Sequence, residues 1–324
     1  MRARYLTYFL TAMLVLGPVA CTQQLAQRAD GGMTGTGSPL VTIGTVTKFG
    51  SVVVNGIDWN SDRTRVVANG KPASVNTDLH LGMIVRVEGR REGDSAKRGV
   101  ADTIQYESDL IGPVNRASMQ VNQSVTKFSV AGQPIFADAS TVLDGFDRLA
   151  ALSDGDQLEI SGYRDRFYAL HATWIGKASE RAGLVRVKGI ASDVTDRSFN
   201  IEGLTVRYGS DLALKSSGIR AGTFVNVKGT RVAGEGMSVV ATDVGLVPVA
   251  VSLPENVAVI MEGLIKSVSQ SGFTMHNRII SVGSTTTFER GAARDLHEDG
   301  KVHVIGRFKK GVFDATKIII AAPN

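Results

Sequence analysis

The sequence predicts an all-β protein: four tandem small five-stranded β-barrels (OB-like) after a signal peptide and a flexible tether. Three observations predict it. One pattern of about 70 residues is written four times, opening on a short strand around Gly44, Gly112, Gly189 and Gly263, and repetition at a fixed period marks a duplicated folding unit. A second strand in each copy alternates apolar and polar residues with period two. Thirdly, 36 of 324 residues are glycine, and Asn55-Gly56 and Asn69-Gly70 are turn dipeptides that suit tight hairpins.

The alternation is read by counting back from a closing glycine at 89, 162, 229 and 306. Four residues before it stand Val85, Leu158, Val225 and Val302; two before it stand Val87, Ile160, Val227 and Val304. Between the members of each pair lie Arg86, Glu159, Asn226 and His303, all polar. Such a strand buries one face and wets the other, whereas a helix would need partners at three and four. His303 is therefore expected to face water. Each copy closes on Ala-x-x-Ile/Val, beginning at Ala101, Ala172, Ala241 and Ala315. Only residues 140–151 and 292–298 invite a helical reading, each lying before the glycine-bounded strand of its copy. Five short strands with a brief helix or loop before the fourth suit an OB-type barrel, with an SH3-like barrel or a two-layer sandwich as alternatives. The expected units are residues 40–109, 110–178, 184–247 and 258–321, with residues 247–257 as an extended link. A unit this small has a thin core, so neighbours are expected to support one another.

The chain begins with a positively charged Met1-Arg2-Ala3-Arg4 and an apolar run over residues 5–19, short for a membrane span and suited to a secretory signal. The single cysteine, Cys21, follows directly. This resembles the lipobox of bacterial lipoproteins, with Pro18 where that motif usually carries Leu. The resemblance implies that residues 1–20 are a lipoprotein signal peptide and that Cys21 is lipidated and becomes the mature N-terminus. Thr22, and no aspartate, follows it, which resembles sorting to the outer membrane. An exported thiol with no disulfide partner fits that reading. Residues 21–39, rich in Gly, Thr and Ser, form the tether. Removing residues 1–20 takes away two arginines and no acid, so the formal charge falls from +5 to +3. So small a charge does not mark a nucleic-acid binder.

The pattern Gly-x-Val, Val-Asn-Gly, Leu-Gly-Met-x-Val-x-Val-x-Gly and Ala-x-x-Ile resembles the bacterial domain-of-unknown-function family 5666. The first copy carries it most cleanly, through Gly44, Asn55, Gly56, Leu81, Gly82, Met83, Gly89 and Ala101. The second copy has Ala131-Gly132 in place of Asn-Gly, and the fourth has His276-Asn277. The resemblance implies exported or lipid-anchored tandem repeats and brings no catalytic residues.

No nucleophile elbow, P-loop, His-Glu-x-x-His or Cys-x-x-Cys occurs. The histidines at 80, 171, 276, 297 and 303 share no register, so no metal site or cofactor is expected. His297-Glu298-Asp299 reads as a solvated loop rather than a metal ligand set, and Asp144 and Asp147 as residues that cap or solvate a helix rather than an acid–base pair. Phe49, Phe128, Phe199 and Phe273 recur at one place and read as core, whereas Trp59, Tyr163, Tyr168 and Trp174 are candidates for exposed contacts.

One cluster stands out as a candidate ligand contact. After each closing glycine comes a basic hairpin: Arg90, Arg91, Lys97 and Arg98; Arg164; Arg231; Arg307, Lys309 and Lys310. In an OB-type barrel this loop borders the binding face. Four on stacked barrels would form a basic stripe toward polyanionic glycan or lipid phosphate; on the plainer reading they are solvated hairpin tips. The expectation is a non-enzymatic, lipid-anchored rod in the cell envelope, on the periplasmic face of the outer membrane. It would meet the membrane through its lipid, bind an envelope protein or polyanionic glycan, and bind no nucleic acid. An enzyme ranks third among the readings, and a pocket gathering histidines and carboxylates from two adjacent copies would reopen it.

Overall fold

The computed structural model describes residues 37–92, 97–179, 183–209, 218–234, 236–247 and 252–321. Cys21, the signal segment, most of the tether, Asp94 and Pro248 lie outside them. The described chain is all-β. The first copy contains β1 (Pro39–Lys48), β2 (Val52–Val54), β3 (Ile57–Asn60), β4 (Arg65–Ala68), β5 (Lys71–Ala73), the helical turn α1 (Val75–Asp78), β6 (Ile84–Arg91) and β7 (Arg98–Tyr106). The second contains β8 (Leu110–Asn122), β9 (Val125–Val130), β10 (Gln133–Ala137), β11 (Val142–Asp144), β12 (Gln157–Arg164) and β13 (Leu170–Lys177). The third contains β14 (Leu184–Ser192), β15 (Ser198–Ile201), β16 (Leu204–Arg207), β17 (Phe224–Arg231) and β18 (Ser238–Leu246). The fourth contains β19 (Ala258–Leu264), β20 (Ser267–Ser269), β21 (Gly272–Met275), β22 (Arg278–Glu289), β23 (Lys301–Lys309) and β24 (Val312–Ile320).

Pairing returns to its starting strand within the first three copies. The circuits run β1-β2-β3-β7-β6-β1, β8-β9-β10-β13-β12-β8 and β14-β15-β16-β18-β17-β14. In the fourth, β20-β21-β22-β24-β23-β19 follows the same order, with two residues of chain joining β19 to β20. Closing a small sheet in this way leaves few unpaired edge groups.

The apolar pairs read from the sequence all point inward: Val85, Val87, Leu158, Ile160, Val225, Val227, Val302 and Val304 are buried. The closing glycines have a steric reason. Each sits where the ladder slips register, and a Cβ there would lie 2.1 Å from the Val100 carbonyl oxygen at Gly89 and 2.3 Å from that of His171 at Gly162. At Gly229 and Gly306 the distances are 2.5 and 2.2 Å. No side chain fits so close a backbone approach at a bulge.

The helical expectations are corrected. Residues 140–151 hold β11 and a single 3-10 turn at Leu149–Ala151, and residues 292–298 hold another at Ala293–Asp295. The missed α1 is capped by Ser74, whose hydroxyl accepts from Asn76 N while Asp78 accepts from Ser74 N. Asp144 caps nothing; it pairs with His80 Nδ1 at 2.7 Å across the first and second copies.

An open rod is also corrected. β1 runs parallel to β19, with Thr42 opposite Ile260, so the first and last copies adjoin in one sheet. β14 lies antiparallel to β8, joining copies two and three in the other sheet. Copies two and three share one hydrophobic cluster, spanning Leu158 and Ile160 through Val225 and Val227. The first copy's core takes in Trp174 from the second copy and Ile260 from the fourth. Thin cores are thereby pooled. The described part of the link is docked: Leu253 is buried in the fourth copy's core, and Arg86 donates to the Ser252 carbonyl at 2.8 Å.

Candidate functional site

The polar face of the repeated strand becomes the seam between copies. Glu159 is buried and accepts from Asn69 Nδ2 at 2.8 Å, reaching from the second copy to the first. His303 Nδ1 meets Asn55 Oδ1 at 3.2 Å, from the fourth to the first. Asn226 donates to Glu107 at 3.4 Å. The expectation that His303 faces water is corrected: its strand is wet only in isolation, and the neighbouring copy covers it.

At the junction Glu262, 4% exposed, accepts from Thr45 N at 3.2 Å and pairs with Lys301 Nζ at 2.5 Å. Burial alone would raise its carboxyl, but Lys301 and His303 hold it below the ordinary range. Tyr163 completes the knot, its hydroxyl 3.2 Å from Thr45 Oγ1; burial and then Glu262 push its phenol well above the usual value. His276 Nε2 donates to the Glu262 carbonyl oxygen at 2.7 Å, and burial pulls the ring's pKa down. Lys266 lies 4.0 Å from the Tyr168 ring centroid and donates to Asn277; burial, then Arg164, lowers it to about 8.

Beside this junction a cleft of about 900 Å3 opens between the second and fourth copies. His171 and His297 line it with Asp138, Asp295 and Asp299, the gathering the isolated sequence did not show. His171 Nε2 meets Asp165 at 3.1 Å, and its ring stacks on Phe136. No hydroxyl bonds to His171 among the described residues, and these hold no group of three or more potential metal ligands. His297 and Glu298 are exposed, as expected of a solvated loop, and the loop also carries an ion pair. Arg166 in the second copy reaches Glu298 at 2.5 Å and Asp299 at 3.5 Å.

The basic hairpins divide. Register brings Gly89, Leu40, Ala258 and Arg307 into one row, which sets the hairpins of copies one and four at the same end, about 15 Å apart at the usual strand spacing. Arg90, Arg91, Lys97, Arg98, Arg307, Lys309 and Lys310 belong to that end. Arg90 pairs with Asp102 at 3.2 Å, Arg98 approaches Glu92 at 3.9 Å, and Arg307 donates to the Asn256 carbonyl. Antiparallel β8 and β14 send Arg164 and Arg231 to opposite ends, so the four hairpins form no single row. Arg164 turns inward to donate to the Tyr168 and Asp109 carbonyls, and burial lowers its pKa; Arg231 is exposed.

The aromatic expectations split likewise. Phe128, Phe199 and Phe273 are core and Phe49 packs against it. Trp59, Tyr163 and Trp174 are buried, correcting their reading as exposed contacts, and Tyr168 is half-buried beneath Lys266. Sequence reading missed Asn55, Asn69, Glu262 and Arg166. For Glu262 a signal existed. The residue before the first-strand glycine is Ile43 and Ile111 in two copies but Lys188 and Glu262 in the others, and Lys188 pairs with Glu107 at 3.2 Å.

These features define an all-β protein of tandem repeats joined by polar seams. Two stretches, residues 112–176 and 262–319, match the family model described as a domain of unknown function (DUF5666). They are the second and fourth copies, the two that frame the cleft. Comparison with curated proteins finds no match.

Proposed function

We propose that the chain is a lipid-anchored, non-enzymatic binding or scaffolding protein of the bacterial cell envelope, built of four OB-type barrels. The strand order first-second-third-fifth-fourth, with third and fifth parallel as in β10 and β13, supports the OB assignment. One observation carries the functional reading. The polar face of the repeated strand makes contacts to another copy or to the link in all four copies, which makes the chain a preorganised body. Lipidation at Cys21 would hold that body to the periplasmic face of the outer membrane. Fractionation of cells expressing Cys21→Ser tests it: the variant is expected in the soluble fraction, and recovery with membranes at the wild-type level removes the anchor.

The shared end of the first and fourth hairpins favours a second reading, in which this end binds a polyanionic glycan or lipid phosphate. Such binding would weaken with salt. Replacing Arg90, Arg91, Lys97 and Arg98 with Ala is expected to abolish it, and unchanged binding would discard this reading.

A further inference from the structure

We infer that a second cleft, between the first and second copies, binds an N-acetylated sugar through the indole of Trp174 and the hydroxyl of Tyr106. Its volume is about 660 Å3, within the span of about 300–1,000 Å3 common to small-ligand clefts. Pro72, Met83 and Tyr106 line it from the first copy, and Gly145, Glu159 and Trp174 from the second.

Two donors at this cleft lack acceptors. Trp174 and Tyr106 are each 3% exposed, and neither Trp174 Nε1 nor the Tyr106 hydroxyl has a hydrogen-bond partner among the described residues. The hydroxyl lies near Glu159 without bonding to it. Burial, then that charge, holds the phenol well above its usual value, so it stays protonated and able to donate. Buried donors in folded chains are nearly always paired, so two orphans lining one cleft call for a molecule that brings acceptors.

The lining sorts the ligand chemistry. Its carboxylates are engaged in holding the fold: Asp144 pairs with His80, Glu159 accepts from Asn69, and Asp78 accepts from Ser74 N and Thr77 Oγ1. These three acids outnumber Lys71 and Lys177, which disfavours an anion. The acceptor is therefore neutral, and Pro72, Ala73 and Met83 favour one carried on an apolar group. An acetamido group has both parts, a carbonyl oxygen for an orphaned donor and a methyl for the apolar lining. His80 suits the sugar ring. It stacks on Trp174 with centroids 5.5 Å apart, and its side chain is 40% exposed, which leaves its outer face open. A peptide carbonyl is the rival acceptor. The sheet edge at this cleft is β5, however, and Pro72 within it lacks the N–H that a docking strand would need.

The test titrates the full chain in detergent with N,N′-diacetylchitobiose, with cellobiose, which carries hydroxyls in place of the acetamido groups, and with N-acetyl-dialanine amide. Diacetylchitobiose is expected to bind at least about ten-fold tighter than either control. It is also expected to shift the indole N–H resonance of Trp174 and leave that of Trp59, the other tryptophan, in place. Tyr106→Phe removes a hydroxyl that has no partner in the free chain. Its melting temperature should therefore hold while affinity falls about three- to ten-fold. No heat with diacetylchitobiose, equal binding of cellobiose or the peptide, an unmoved Trp174 resonance, or full affinity in Tyr106→Phe would overturn the inference. Fractionation of Cys21→Ser and the basic-hairpin substitutions report on other parts of the chain, so their failure and the failure of this site are distinguishable.

Discussion

Asn55, at a hairpin tip of the first copy, meets His303 of the last copy, whose Nδ1 lies 3.2 Å from its Oδ1. The same amide donates to Thr42 Oγ1 at 2.8 Å and the Ile43 carbonyl at 2.9 Å, with a backbone φ of 50°. Asn55→Gly keeps the turn and removes these bonds. It is expected to cost about 1–3 kcal/mol by urea unfolding, from the unpaired groups left at the seam. A change below about 0.5 kcal/mol would show that the seam does not rely on Asn55.

The closing glycines predict a sharp steric contrast. Gly162→Ala puts a Cβ 2.3 Å from the His171 carbonyl oxygen and is expected to destabilise by about 2–4 kcal/mol. Gly209→Ala meets open space at an ordinary φ and should stay within about 0.5 kcal/mol. Parallel thermal melts compare the two.

Stability should fall with acid in two windows. Burial depresses the folded-state pKa of His276 and His303, so the unfolded chain binds protons first, and stability drains as pH falls below the ordinary value of about 6.5. Glu262 is also held low; its contribution is present above the ordinary carboxylate value of about 4.5 and is lost as pH falls through its lower folded value. Denaturant midpoints from pH 7.5 to 3.5 check both, and His276→Asn should shrink the first window to the share of His303 while leaving the second in place.

Two ion pairs across or beside the seam should differ in worth. Glu262→Gln leaves Lys301 beside a buried amide, and the expected loss is about 2 kcal/mol, below the buried-pair range because Lys301 reaches water. Arg166→Ala breaks contacts to Glu298 and Asp299 that are largely exposed, so its cost is expected below about 1 kcal/mol and should shrink with salt. Double-mutant unfolding in low and high salt separates them.

Lys266 should titrate near pH 8, since burial and Arg164 both disfavour its charge. Reductive 13C-methylation followed by NMR would show one resonance with that midpoint. A midpoint above about 10 would mean that Lys266 is solvated.

Strand identity, the inward aliphatic pairs and the need for glycine at 89, 162, 229 and 306 were legible in the chain. Each follows from local rules: side chains alternate with period two, and a tight turn or bulge selects its residue within a few positions. The fate of the polar phase was not legible. Glu159 and His303 occupy equivalent positions in the sequence, yet one is sealed against Asn69 and the other against Asn55. Which copy covers which polar face depends on pairings such as Thr42 with Ile260, more than two hundred residues apart, and no local period encodes these. The cleft has the same origin, for its walls come from the second and fourth copies, which are not consecutive in the chain. The sequence by itself determined the repeating unit, because that unit is held by contacts between near neighbours. Tertiary structure alone decided the closure of first copy on last and the site beside it, because burying four thin cores together requires contacts between distant ones.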